Sequence, residues 1–304
     1  MGTIQGDLGG LPVGDSGRVL IMGVINLTKN SFYGGSVRTG SDEVSRAATL
    51  MQQQGADIID VGARSTAPYR TSEISERTES RLLMEAIRAV SKTIELPISV
   101  DTTRYEPAKT AFAEGATILN DVYGFTQKDA PKLAKLAASR NCSVILSAHE
   151  SRTRRIHDPI LRISNCLESS LKMAADHGIE SAHTTIDPGI GFFSDSELSN
   201  VEWNCNTIAR LSELRKFGRP ICVGVSRKRF IGMLTGEKSA DLRLSGSLAA
   251  TAISVYNGAH VIRTHDVKET NEAVKIAEAV RKNSLIHRHA GSRRELNGEE
   301  RSSE

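Results

Sequence analysis

The chain is poor in the residues that most often mark a special architecture. Only 4% of its 304 residues are aromatic, with a single tryptophan. Its core must therefore come from Val, Ile, Leu and Ala. The four cysteines, Cys142, Cys166, Cys205 and Cys222, form no C-x-x-C pair. That excludes a disulfide framework or a cysteine zinc site. Cys142 and Cys222 stand inside apolar runs and read as plain core residues. No apolar run approaches the roughly 20 residues needed to cross a bilayer, and no basic segment followed by an apolar stretch opens the chain. The expectation is a cytoplasmic protein with no membrane partner. A formal charge of +3, with no Lys/Arg stripe, argues against nucleic acid as a partner. The basic cluster Arg152, Arg154, Arg155 reads as a solvated loop.

What is present is repetition. Eight short apolar runs recur: Val19–Asn26, Ala56–Ala63, Pro97–Thr102, Thr117–Val122, Ser143–His149, His183–Pro188, Pro220–Ser226 and His260–Val267. Each is continuous rather than alternating, as strands buried on both faces are. Between them lie segments of helical spacing: Asp42–Gln54, Glu73–Thr93, Glu106–Glu114, Asp129–Arg140, Pro159–His177, Asn206–Lys216, Ala240–Asn257 and Lys268–Arg281. Several stop at glycine (Gly55, Gly115, Gly178, Gly218, Gly258), which accepts the left-handed conformation that ends a helix. Strict strand–helix alternation implies a parallel sheet with right-handed crossovers. Eight repeats favour closure, and no G-x-G-x-x-G follows the first run. The predicted fold class is α/β, a single (β/α)8 barrel. It occupies residues 17–283, with a flexible Gly-rich lead at 1–16 and a polar, disordered tail at 284–304. In such a barrel, layers of Val, Ile and Leu fill the interior and suit the low aromatic content.

Active sites of barrels lie at the C-terminal ends of the strands. The eight runs end, in order, with Asn26, then Arg64, Ser65 and Thr66, then Asp101, Asn120 and Asp121, His149, Asp187, Ser226–Lys228, and Arg263, His265 and Asp266. Eight polar endings on apolar runs predict one site. Asp121, Asp266 and Ser65 read equally well as caps or rim hydrogen bonds. Asp101, Asp187 and Asn120 suit the flat donor–acceptor edge of a nitrogen heterocycle, since a carboxylate accepts two parallel N–H bonds. Arg263 and His265, two apart on a strand, suit a phosphate or diphosphate. Lys228 could serve either group. No zinc cluster and no activated Ser or Cys nucleophile is evident.

These residues also carry a family resemblance. Met22-Gly23-Val24-Ile25-Asn26-Leu27-Thr28, with Ser31-Phe32, resembles the opening motif of dihydropteroate synthases. So do Gly55–Gly62 with Ser65-Thr66, Ile98–Thr102, Asn120-Asp121, Asp187–Phe192, Gly224–Lys228 and Arg263–Val267. Seven motifs in order span about residues 19–281. The resemblance implies a pterin-binding barrel, a homodimer, that condenses 6-hydroxymethyl-7,8-dihydropterin diphosphate with 4-aminobenzoate and releases diphosphate. By that resemblance Asp101, Asn120, Asp187, Phe192 and Lys228 hold the pterin. Asn26, Arg263 and His265 hold the diphosphate, with Mg2+ near Asn26. Ser65, Thr66 and Arg229 meet the arylamine, and Lys228, Arg263, His265 and Asp101 carry the chemistry.

The departures from the family pattern cluster. Thr28-Lys29-Asn30 replaces Thr-Pro-Asp, and Ser65-Thr66-Ala67-Pro68 replaces Ser-Thr-Arg-Pro. Arg229 stands where serine is usual, Phe193-Ser194 where Gly-Lys is usual, and Ala148 where methionine is usual. An Asp and an Arg are lost from the mobile loops, and Lys29 and Arg229 are gained. Arg64 or Arg70 could replace the missing Arg. Two added cations suit a larger or phosphorylated arylamine, as in methanopterin-type cofactors; drift within ordinary synthase activity is the competing expectation. A pterin-dependent methyltransferase would not need Arg263 and His265, and a non-catalytic paralogue would not need to retain them.

Overall fold

The computed structural model describes residues 2–27, 37–64, 74–150, 156–193 and 195–299, with the backbone alone at 37–39 and 285–299. It begins with a hairpin, β1 (Gln5–Leu8) and β2 (Leu11–Gly14). Then strands and helices alternate: β3 (Leu20–Asn26), α1 (Val37–Gln53), β4 (Ile58–Gly62), α2 (Glu76–Ser91), β5 (Ile98–Asp101), α3 (Tyr105–Ala113), β6 (Ile118–Asp121) and α4 (Ala130–Ser139). The second half continues with β7 (Ser143–Ser147), α5 (Pro159–Asp176), β8 (Thr184–Asp187), α6 (Asn200–Ala209), β9 (Cys222–Val223), α7 (Arg229–Thr235), α8 (Leu244–Tyr256), β10 (Val261–Thr264) and α9 (Val267–Glu299).

All eight strands from β3 to β10 are parallel, in the order β8-β7-β6-β5-β4-β3-β10-β9. A parallel bridge between Ile186 and Ile221 closes the ring. The expected (β/α)8 barrel is therefore the fold observed. Period-two alternation gives the barrel two apolar layers. Ile59, Val61, Val100, Leu119, Val144 and Leu146 point outward and pack under the helices. Leu20, Met22, Ile58, Ile118, Ile145, Cys222 and Val261 point inward at the N-terminal end.

The hairpin corrects the sequence reading of residues 1–16 as a flexible lead. Leu8 and Val13 are buried in that inner cluster and stopper the bottom of the barrel. Gly9 and Gly10, at φ 67° and 91°, make the turn between the strands. Ser143 Oγ bonds the Gly9 N–H at 3.0 Å, tying the turn to β7. Two four-residue strands around a Gly-Gly turn leave too little pattern to separate from a tail.

The helices also differ at their edges. The helix expected at Asn206–Lys216 starts earlier, at α6, where Ser199 and Glu202 form a capping box, and it finishes as a 3-10 turn over Leu211–Phe217. The short α7 was not foreseen. Helix α9 runs beyond Arg281 and through most of the segment read as a disordered tail. Loss of apolar spacing ended the expected helix, but no proline stands there to stop the backbone.

Candidate active site

The inward set of side chains changes character along the barrel axis. Below lie the apolar residues stoppered by the hairpin. Above them, still on the inward parity, come Asp60, Asp101, Asn120, Ser147, Asp187, Gly224 and Arg263, then Asn26, Arg64, Ser226 and His265 at the rim. All of these except Asp60 line a cavity of about 220 Å³ at the C-terminal end of the strands. Ile190, Gly191, Phe192, Asn200, Arg227, Lys228 and Arg229 complete the wall.

The floor is an ion network centred on Arg263. Its Nε donates to Asp60 Oδ2 at 2.7 Å, and its Nη2 donates to Asp101 Oδ2 at 2.8 Å. Asp60 is fully buried and also accepts from Ser99 Oγ at 2.6 Å and from Asn120 Nδ2 at 3.3 Å. The second oxygen of Asp101, Oδ1, is buried and without a hydrogen-bond partner. Burial raises the Asp101 pKa to about 7; Asp60 adds to the rise, while Arg263 and Arg64 oppose it. Asp187 is also raised by burial, against the pull of the Gly189 N–H, Lys228 and Arg263. Two carboxyl groups kept from ionising easily, one with a bare oxygen, form a floor that takes up N–H donors.

The loop after β8 supplies one wall. Gly189 N–H donates to Asp187 Oδ1 at 2.7 Å, which closes the Asp-Pro-Gly turn. Gly189 has φ 70°, and a Cβ there would lie 2.4 Å from the Ala148 carbonyl oxygen, so no other residue fits. Gly191, at φ 83°, leaves room for the Lys228 side chain. Lys228 Nζ then sits 4.5 Å from the centre of the Phe192 ring.

The Ser-Arg-Lys segment, which follows the neighbouring strand β9, supplies the adjoining wall. Arg227 takes a left-handed conformation (φ 60°), held by its N–H to Ser247 Oγ at 2.9 Å and by ion pairs to Asp266 and Asp241. That turn points Ser226 and Lys228 into the cavity and Arg227 partly away from it. Ser226 Oγ meets His265 Nδ1 at 3.0 Å. Arg64 donates to Thr103 Oγ1 at 2.7 Å, while its buried Nε makes no hydrogen bond and faces Glu79 Oε2 at 3.9 Å.

The structure thus brings Asn26, Asp101, Asn120, Asp187, Phe192, Lys228, Arg229, Arg263 and His265 together. It does not bring in Asp121, Asp266 or His149. Asp121 and Asp266 stand on the outward parity. Asp121 accepts the Tyr123 and Phe125 N–H groups as a loop cap, and Asp266 pairs with Arg227. His149 packs at a tilt of 44° against Tyr123 with ring centres 4.4 Å apart, and burial lowers its pKa. Ser65, Thr66, Lys29, Arg70 and Arg152–Arg155 lie outside the described residues. Among polar site residues, sequence reasoning missed Asp60, Ser147 and Asn200; Ser147 was passed over for the His149 ending of the same run. Asp60 carried a signal, since a carboxylate on the inward parity of a buried strand demands a cation. Asn200 carried none, because it follows a loop of no fixed pattern.

Arg263 differs from its expected role as a simple anion clamp. Two of its nitrogens are bound to carboxylates of the barrel itself. Nη1 makes neither contact.

Comparison with known proteins agrees with this geometry. A family model described as pterin binding enzyme matches residues 22–265. The dihydropteroate synthase of Escherichia coli K12 is 33% identical over 262 residues, covering 85% of this chain and 90% of its own. A Xanthomonas albilineans dihydropteroate synthase solved with 4-aminobenzoic acid superposes with a TM-score of 0.81 at 29% identity, over 92% of this chain and 98% of that one. The same organism's enzyme in complex with 7,8-dihydropteroate gives 0.77 at 28% identity, over 91% and 98%. The polar floor, the Lys228–Phe192 wall and the seven ordered motifs have one common explanation: the chain belongs to the dihydropteroate synthase family of pterin binding enzymes.

Proposed function

We propose that the chain condenses 6-hydroxymethyl-7,8-dihydropterin diphosphate with 4-aminobenzoate, releasing diphosphate in folate synthesis. The observation that carries this reading is the inward-facing set Asp101, Asn120, Asp187 and Lys228 around one cavity, with Phe192 beside it. Asp101 Oδ1, bare and buried, accepts an N–H of the pterin; Asp187 and Asn120 complete the edge. Phe192 supports one ring face, and Lys228 donates to the ring's acceptors.

The C–O bond at the pterin methylene breaks, and its electron pair leaves with the diphosphate. Positive charge then spreads over the ring system, which favours the ionised forms of Asp101 and Asp187, and the carboxylates stabilise it at short range. His265 and the remaining Nη1 of Arg263 meet the leaving group, while Asp60 holds Arg263 in place. The arylamine nitrogen forms the new bond to the methylene carbon and gives up a proton. Ser65, Thr66 and Arg229 border the arylamine in this reading.

Mg2+ fits the chemistry at Asn26, whose side-chain oxygen ends β3 at the cavity rim. Among the described residues, no group of three or more His, Cys, Asp or Glu could hold a metal alone. A Mg2+ held by one amide oxygen and by substrate phosphates needs no such cluster. When bound, it would neutralise charge on the departing diphosphate.

A homodimer is part of the proposal. Ile253 and Tyr256 on α8, and Ile276 and Val280 on α9, are exposed, and the two helices pack together. Sedimentation of the purified protein tests it. A cytoplasmic location is likewise proposed; among the described residues no helix is long and apolar enough to cross a membrane.

The alternative, a phosphorylated arylamine, rests on Arg229, which is exposed at the cavity mouth where the family pattern has serine. Diphosphate release from the pterin substrate with Mg2+ decides between them. Release that depends on 4-aminobenzoate supports the first reading. Release only with a phosphorylated arylamine supports the second. No amine-dependent release with either overturns both.

A further inference from the structure

We infer that Asn200 is a specificity-determining residue of this site, whose side-chain oxygen accepts a hydrogen bond from an N–H of the heterocyclic substrate. The inference rests on the pterin reading of the cavity. Asn200 is the first residue of α6 and stands in the cavity wall with Gly191, Phe192 and Lys228. Its Oδ1 is shielded from solvent and has no donor. A buried acceptor left without a partner is costly, and folded proteins seldom keep one without a reason. The diphosphate carries no N–H to offer it, and the arylamine's one amino group is directed at the reacting methylene; the pterin carries several. Asp101 Oδ1 is a second bare oxygen in the same cavity.

The backbone of Asn200 is fixed from behind, which sets where its side chain enters the cavity wall. Asn204 is fully buried; its Nδ2 donates to the Asn200 carbonyl at 2.5 Å, and its Oδ1 accepts the Gly191 N–H at 2.7 Å. One side chain thus locks the first turn of α6 to the loop that carries Phe192. The capping box of Ser199 and Glu202 fixes the helix start. Beyond it, the buried guanidinium of Arg162 lies 5.6 Å from the Phe193 ring centre and 5.0 Å from that of Trp203, and its Nη1 pairs with Asp195 at 2.9 Å. Phe193 stands where the family pattern has glycine, so this chain anchors the loop by its own means. Asn200 is part of that local solution.

The test is calorimetric binding of the pterin diphosphate with Mg2+ and no amine, together with steady-state kinetics, on wild type, Asn200→Leu and Asn200→Asp. Leucine fills the space without an acceptor; aspartate keeps an oxygen in place. Expected for Asn200→Leu are a Kd and KM for the pterin diphosphate raised about tenfold, with kcat and the KM for 4-aminobenzoate within twofold of wild type. Asn200→Asp should stay within about threefold in Kd. An unchanged Kd in Asn200→Leu would overturn the inference, the oxygen then being met by water. So would a general rise in both KM values with a lowered Tm, which marks a structural residue. Wild type that binds no pterin diphosphate would overturn the pterin reading itself, and the inference with it.

Discussion

Asp60 and Arg263 meet at 2.7 Å midway along the barrel, a fully buried carboxylate holding the guanidinium that also reaches Asp101. The pair joins the apolar lower half of the interior to the polar upper half. Removing one partner of a buried pair leaves an uncompensated charge. Asp60→Ala should therefore cost about 3–5 kcal/mol of stability and lower kcat/KM by at least about a hundredfold, because Arg263 loses its aim. Asp60→Asn keeps an acceptor for Ser99 and should cost less stability while still losing activity. Denaturant melts and kinetics on the two variants check this; full activity in Asp60→Asn would show that Arg263 needs no carboxylate behind it.

Asp101 makes the apo protein respond to pH. Its folded pKa is raised by burial from 3.8 to about 7. An acid raised in this way stabilises the fold while protonated. The contribution is complete below about pH 4 and is lost as pH rises through about 7. Asp101→Asn stays neutral throughout. The Tm of wild type minus that of Asp101→Asn should therefore fall between pH 4 and 7. A difference that grows over that range would mean the ion pair with Arg263 outweighs burial. Bound pterin, donating an N–H to the ionised carboxylate, should flatten the fall.

The hairpin stopper gives a separable test. Leu8 is fully buried against the inner cluster, far from the cavity mouth. Leu8→Ala should cost about 2–5 kcal/mol and leave both KM values unchanged at a temperature where the variant is folded. Altered KM values would show that the barrel floor transmits strain to the site.

Much of this architecture was legible because a buried parallel strand has a single sequence form. Eight continuous apolar runs gave the barrel, and their endings gave most of the cavity. Two of the errors share one cause: the endings Asp121 and Asp266 were read without parity, whereas His149 keeps the phase of Ile145 and Ser147 and turns instead onto Tyr123. Asp101, Asp187 and Arg263 stand on the inward phase and face the cavity; Asp121 and Asp266 stand one residue off and do not. Asp60 shares the phase of Ile58 and Gly62 and could have been found that way. The hairpin at 5–14, Asn200 and the Arg162 anchor could not. Their roles depend on contacts between segments far apart in the chain, and local pattern records none of these.

At the bottom of the barrel, Asp15 accepts both Arg215 Nη1 and Nη2 at 2.8 Å and the Ile4 N–H at 2.8 Å, and faces His260 Nε2 at 3.1 Å. The Arg215 bond, with Ile4 and His260, holds the Asp15 carboxyl well below its ordinary value despite the opposing effect of burial. A depressed acid stabilises the fold above its unfolded pKa, and that contribution is lost as pH falls below about 4. Acid unfolding of Arg215→Ala, followed by circular dichroism, should therefore begin at a higher pH than in wild type. Coincident acid transitions would show that this cluster does not tie the hairpin to the barrel.

The arylamine question turns on Arg229. It is the first residue of α7 and is exposed beside Lys228 at the cavity mouth. A guanidinium there binds an anion in a fixed fork, where serine offers one hydroxyl. If the amine is 4-aminobenzoate, it has no phosphate for Arg229 to hold at the exposed mouth, and Arg229→Ser should change its KM by less than about threefold. If the amine carries a phosphate, the same change should raise the KM of that amine by ten- to a hundredfold, as loss of a charge-assisted pair does. The KM for 4-aminobenzoate would fall or hold. In both cases the KM for the pterin diphosphate should stay constant, because Arg229 lies on the far side of Lys228 in the chain from the Ser226–His265 contact. A rise in the pterin KM would place Arg229 at the diphosphate instead, and the added cation would then serve the leaving group.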